Sequence, residues 1–141
     1  MSSGILVIDA SAALHAAASE GGFAHYAAAT LVAPALLWSE CTSVLREMEY
    51  RGEISAALKD AAMSRITGGP IRRRSPRRLY GEASRLAVEL GWAKTYDAEY
   101  VALARMLAAP LLTRDARLVR GASRVLPSVN PDLPGAPRPA R

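Results

Sequence analysis

The stretch Gly4 to Leu14, GILVIDASAAL, decides the fold. Ile5, Leu6, Val7 and Ile8 run without a polar interruption, the pattern of a strand buried on both faces, as in parallel sheets. Asp9 stands at the carboxyl end of that strand. The Ala-rich segment from Ser11 to about Ser19 then reads as a helix, closed by Gly21-Gly22. The first unit is therefore strand then helix, with a carboxylate at the junction that either caps the helix or belongs to a site.

The same alternation continues outward. A second helix is expected over Phe23 to Ala29, and a second strand over Thr30 to Ala33, ended by Pro34. Leu36 to Arg51 reads as a helix with Leu37, Cys41, Val44 and Met48 on its inner face and Gly52 as its stop. Glu53 to Thr67 reads as another, with Ile54, Leu58, Ala61 and Ile66 inward. PIRRRSPRR, Pro70 to Arg78, has room for a very short strand before Pro76 opens a helix carrying Leu79, Ala83, Leu86 and Leu90 inward and stopping at Gly91. Thr95 is placed to cap a helix over Tyr96 to Leu107. APLLTRD, Ala109 to Asp115, reads as a fourth strand, a short helix follows, and Arg124 to Pro127 as a fifth strand. Short apolar strands alternating with amphipathic helices predict an α/β domain, a three-layer sandwich with a mainly parallel central sheet between helices.

The chain has 141 residues, enough for one domain. Residues 1–126 are expected to form it. Residues 127–141 hold five prolines and are expected to be a flexible tail. No apolar run approaches the roughly 20 residues that span a bilayer, and no basic segment precedes the first apolar run, so neither a membrane span nor a signal peptide is indicated. A single cysteine, Cys41, excludes an internal disulfide and argues against a cysteine metal site. These features predict a cytoplasmic protein.

In open parallel sheets, ligands bind outside the carboxyl ends of the strands. Four of the thirteen acids fall on that rim in the expected winding: Asp9, Glu40, Asp97 and Asp115. Asp9 also suits a helix cap, and Asp97 and Asp115 would complement helix dipoles. Glu40, set among Leu37, Cys41 and Val44, has no such role. Carboxylates gathered in one pocket repel one another and call for protons or a cation. Hard oxygen donors favour Mg²⁺ or Mn²⁺; His15 and His25, one helix apart in sequence, are read as non-ligands. Such a site suits attack of water on a phosphodiester.

VIDASAAL, PALLWSECTSVL, TYDAEYVALA and LLTRDARL, in this order and over roughly Ile5 to Leu126, resemble the PIN domain, and specifically the VapC toxins of bacterial VapBC toxin–antitoxin pairs. The resemblance implies a Mg²⁺- or Mn²⁺-dependent endoribonuclease, a homodimer, and inhibition by a cognate VapB-type antitoxin. It implies catalytic and metal-binding roles for Asp9, Glu40, Asp97 and Asp115, and supporting hydroxyls at Ser11 and Thr113. Family members often carry Asn three residues after the second acid; here that position is Ser43. Glu99, two residues beyond Asp97, is expected to point elsewhere on its helix.

The net charge is +5, carried by 16 Arg and 2 Lys. Arginine suits phosphate, although a GC-rich genome yields the same excess. Arg72, Arg73, Arg74, Arg77 and Arg78 form either a strip for the phosphates of tRNA or another structured RNA, with steep salt dependence, or a solvated connector. Tyr80, Trp92, Tyr96 and Tyr100 are read as core residues, and Trp38 as core or as part of an apolar antitoxin groove. The competing function is a non-catalytic PIN-like module that binds RNA or protein.

Overall fold

A computed structural model of the chain describes residues 4–133. In chain order the elements are β1 (Gly4–Ile8), α1 (Ala10–Ala18), a 3-10 turn (Gly22–Tyr26), β2 (Ala29–Ala33), α2 (Leu36–Tyr50), α3 (Ala56–Thr67), β3 (Arg72–Arg73), α4 (Leu79–Leu90), α5 (Tyr96–Met106), β4 (Leu111–Leu112) and α6 (Ala116–Ala122). The four strands form one parallel sheet in the order β3-β2-β1-β4. Helices α1, α2 and α3 pack on one another, while α4 packs along α5, which lies against β1. The expected α/β three-layer sandwich with a parallel central sheet is what the chain adopts.

Leu6, Val7 and Ile8 are buried, as are Leu31, Val32 and Ala33 beside them, because a parallel strand between helical layers has no solvent face. Ile5 is exposed at 37 %, so the last three of the four residues in the first apolar run are core. The register pairs Val7 with Val32 on one side and with Leu111 on the other. All four strands point the same way, so Asp9, Pro34, Arg74 and Thr113 follow their carboxyl ends on one rim.

Several elements differ from the pattern reading. The segment from Phe23 forms a 3-10 turn and not an α-helix, since β2 already begins at Ala29. Helix α3 starts at Ala56 and not at Glu53, because the Ser55 hydroxyl accepts the Leu58 N–H and takes the N-cap. Thr95 makes no side-chain cap; its backbone is already helical, which aims the hydroxyl away from the free N–H groups. Pro76 lies in a turn before α4, its carbonyl accepting the Leu79 N–H. The inner stripe of α2 is Leu37, Cys41 and Leu45, with Val44 exposed, and that of α3 is Ala62 and Ile66, with Leu58 exposed. On α4 the expected four residues, Leu79, Ala83, Leu86 and Leu90, are all buried.

No strand forms over residues 124–127. The Val125 and Leu126 N–H groups instead fold back onto the Ala122 carbonyl. Pairing to β4 comes later, through a parallel bridge of Val129 with Leu111 and through the Asn130 N–H bonded to the Leu111 carbonyl at 2.8 Å. Residues 128–130 of the segment expected to be a flexible tail pair with Leu111; residues 134–141 of it lie outside the described residues. Among the described residues, no helix is long and apolar enough to cross a membrane.

Candidate functional site

Asp9 is 4 % exposed at the end of β1. Its extended backbone leaves the strand and makes it the N-cap of α1, so Oδ1 accepts the Ala12 N–H at 2.9 Å. Oδ1 also accepts the Ser11 hydroxyl at 2.7 Å, and Oδ2 accepts the Thr113 hydroxyl at 2.5 Å. Thr113 Oγ1 in turn accepts the Asp115 N–H at 3.1 Å, and Ser11 Oγ accepts the Arg114 N–H at 2.9 Å. Two short hydroxyl side chains thereby join the end of β1 to the loop after β4 and fix both oxygens of one buried carboxylate.

A further brace comes from beyond α6: Asn130 Oδ1 accepts the Thr113 N–H at 2.8 Å. Asn130 adopts a left-handed backbone (φ 51°), a conformation asparagine tolerates better than most residues. Replacing Thr113 by valine keeps the shape and removes the hydroxyl. Asp9 then loses a donor and the Asp115 N–H an acceptor, so unfolding free energy should fall by about 1–3 kcal/mol, measurable by urea denaturation.

The other three acids arrive on separate elements. Glu40, in α2, is half-buried, and its Oε1 accepts the Tyr100 hydroxyl at 2.8 Å. Asp97 sits in the first turn of α5. Asp115 is the N-cap of α6, its Oδ1 accepting the Arg117 and Leu118 N–H groups at 2.9 and 3.2 Å. Asp9 and Asp115 therefore do cap helices, and the capping and rim positions coincide.

Electrostatics ties the four together. Burial raises the Asp9 carboxyl above the ordinary aspartate range, against the bonds from Thr113, Ala12 and Ser11, and the Asp115 charge raises it further. Glu40 is raised chiefly by burial, then by the charges of Asp97, Asp9 and Glu99, with the Tyr100 bond opposing. Burial and the Asp115 charge raise Asp97, while Arg117 lowers it. Glu99 is 8 % exposed and raised by burial, and its charge is among those that raise Glu40.

Among the described residues, no three carboxylate, histidine or cysteine side chains are drawn together as a ready-made ligand set. The chemistry of the donors nonetheless suits a hard divalent cation: all are carboxylates, and three carry charge against burial and against one another. Mg²⁺ is commonly held by one or two carboxylates with water completing its shell. Of the histidines, His25 Nε2 lies 2.8 Å from the Glu20 carbonyl, and burial and Arg114 lower His15.

Glu40 and Asp97 line a cavity of about 360 Å³ whose wall also includes Trp92, Lys94, Tyr96 and Arg117. None of these had been placed in a site. Tyr96 and Tyr80 are 56 % and 57 % exposed and are not core; Tyr100 is buried and Trp92 half-buried. Trp38 packs against the core. The signals in the sequence were Lys94 and Arg117 themselves, each within three residues of a motif acid. Arg72, Arg73, Arg74, Arg77 and Arg78 are all exposed, on edge strand β3 and the loop after it, and Ser43 is exposed on α2.

The fold is similar to that in the crystal structure of PAE2754 from Pyrobaculum aerophilum, with a TM-score of 0.70 and 23% identity over 90% of this chain and 83% of that one. At this identity the likeness concerns the fold. No family model and no curated protein matches the sequence.

Proposed function

We propose that the chain is a Mg²⁺- or Mn²⁺-dependent endoribonuclease and the toxin of a toxin–antitoxin pair, as its sequence resemblance to the VapC proteins implies. The observation that carries this reading is the buried Asp9 carboxylate, held at both oxygens on the sheet rim and electrostatically coupled to Asp115 and Glu40. Asp9, Glu40, Asp97 and Asp115 would hold the cation, which when bound supplies activated water and charge neutralisation at a phosphodiester.

The chain's own groups prepare that chemistry. Thr113 and Ser11 keep the Asp9 carboxylate from rotating, and Tyr100 orients Glu40 while favouring its charged form. The Arg72 to Arg78 strip begins on the edge strand two places from β1, on the same rim, where it would steer the RNA backbone. A small antitoxin would silence the site by inserting a basic side chain among the acids. A homodimer in the cytoplasm completes the reading.

The competing reading is a non-catalytic module that binds RNA or protein. Antitoxin-free protein incubated with total tRNA separates the two. The nuclease should give discrete fragments with 5′-phosphate ends in Mg²⁺ or Mn²⁺ and none in EDTA. RNA bound but left intact in every metal would select the module.

A further inference from the structure

Glu40 and Asp97 form one side of the cavity, so it opens directly onto the acid cluster, and the rest of its wall has a different chemistry: two aromatic and two cationic side chains. Its construction starts at the end of α4. Gly91 takes a left-handed backbone (φ 72°) there, and the next residue, Trp92, bonds its N–H back to the Ala87 carbonyl at 2.8 Å. The indole is thus delivered against α6 on a pinned backbone.

Gly121 receives it. A Cβ on Gly121 would lie 2.2 Å from Trp92 Cζ2, so the absence of a side chain at Gly121 is what lets the ring seat its six-membered edge on the helix. Gly121→Ala should therefore cost about 1–3 kcal/mol of stability, read by urea denaturation, even though alanine favours helix. An indole fixed on one edge and half-exposed in a cavity is a preformed stacking surface.

Tyr96 stands on the same wall, exposed at the start of α5, with Lys94 two residues before it and Arg117 from the first turn of α6. Neither cation takes part in a salt bridge among the described residues. At about 360 Å³ the cavity is at the small end of ligand clefts, which span roughly 300–1,000 Å³. It suits one flat heterocycle with one anionic group, and it is too small for a paired helix.

We propose that this cavity holds one unpaired nucleotide of the RNA next to the cleaved bond, its base on Trp92 and Tyr96 and its phosphate between Lys94 and Arg117. The proposal rests on the ribonuclease reading and adds to it the side chains that would hold one base and one phosphate beside the acids. Stacking on aromatic side chains and contact with cationic side chains are the usual means by which proteins hold unpaired nucleotides.

The test uses the full ¹⁵N-labelled chain and follows the indole N–H signals of its two tryptophans during titration with AMP, CMP, GMP and UMP in EDTA. The Trp92 signal should shift saturably while that of Trp38, which does not line the cavity, stays in place. Lys94→Ala and Arg117→Ala should each weaken binding about 3- to 10-fold, and Trp92→Leu should weaken it about 10-fold or more by the Tyr96 signals. Lys94 is exposed, so its variant stays informative if Trp92→Leu fails to fold.

An unmoved Trp92 signal, equal movement of both tryptophans, or unchanged affinity in Lys94→Ala would overturn the proposal. Metal-dependent RNA cleavage by a chain whose Trp92 ignores all four nucleotides removes the nucleotide site and leaves the ribonuclease. Specific nucleotide binding without cleavage under any metal keeps the site and removes the ribonuclease.

Discussion

Asp9→Asn should lower metal-dependent RNA cleavage by a factor of roughly 10²–10³, in line with loss of one preorganised charged group at a reaction centre. The substitution isolates charge from architecture. Asparagine is as good an N-cap as aspartate, so its Oδ1 can still accept the Ala12 N–H and the Ser11 hydroxyl. Its amide can donate to Thr113 Oγ1, replacing the bond that the Thr113 hydroxyl now gives to Asp9 Oδ2. The melting temperature should therefore stay within a few degrees of the parent's while cleavage falls. A variant that keeps more than a tenth of the parent rate would reduce Asp9 to a helix cap.

In EDTA the protein should melt at a higher temperature at pH 5.5 than at pH 7.5, and saturating Mn²⁺ should reverse that order; His15, lowered by burial and by Arg114, acts oppositely in this window but is one group against four. Asp9, Glu40, Asp97 and Glu99 all have folded-state pKa values raised, mainly by burial. The native chain then holds protons where the unfolded chain has released them, so stability falls as pH rises from the ordinary carboxyl range through the raised values. Acidification from neutral pH relieves this cost. The lowered acids Glu49 and Glu53, held by Lys59 and Arg51, act oppositely, but only below the ordinary glutamate range.

A divalent cation competes with those protons for the same oxygens and stabilises most when they are absent. At a concentration 100 times its Kd, Mn²⁺ should add about 2.7 kcal/mol at pH 7.5. For a domain of this size that is on the order of 10 °C in Tm. No shift with Mn²⁺ at pH 7.5, beside the same fall in stability from pH 5.5, would mean that protons alone relieve the cluster.

The sequence carried the layer order because burial on two faces leaves its mark on every residue of a strand, as in Leu6 to Ile8 and Leu31 to Ala33. It also placed Asp9 and Asp115 well, since each follows a strand and opens a helix, and local chain direction alone puts both on the rim. Local pattern served less well where one competing bond decides an element. The Ser55 cap moved the start of α3, and the fold-back onto Ala122 replaced the last expected strand.

What belonged to tertiary structure alone were the contacts between residues far apart in the chain. Thr113 reaches Asp9 across 104 residues, Tyr100 reaches Glu40 across 60, and Asn130 braces Thr113 from a segment that composition marked as a tail. Trp92 looked like any core aromatic until Gly121 was seen to leave it a seat. Periodicity and capping depend on neighbours within a few residues and can be read along the chain. The raised carboxylates and the aromatic cavity depend on which surfaces meet when the layers close, and that is set by packing.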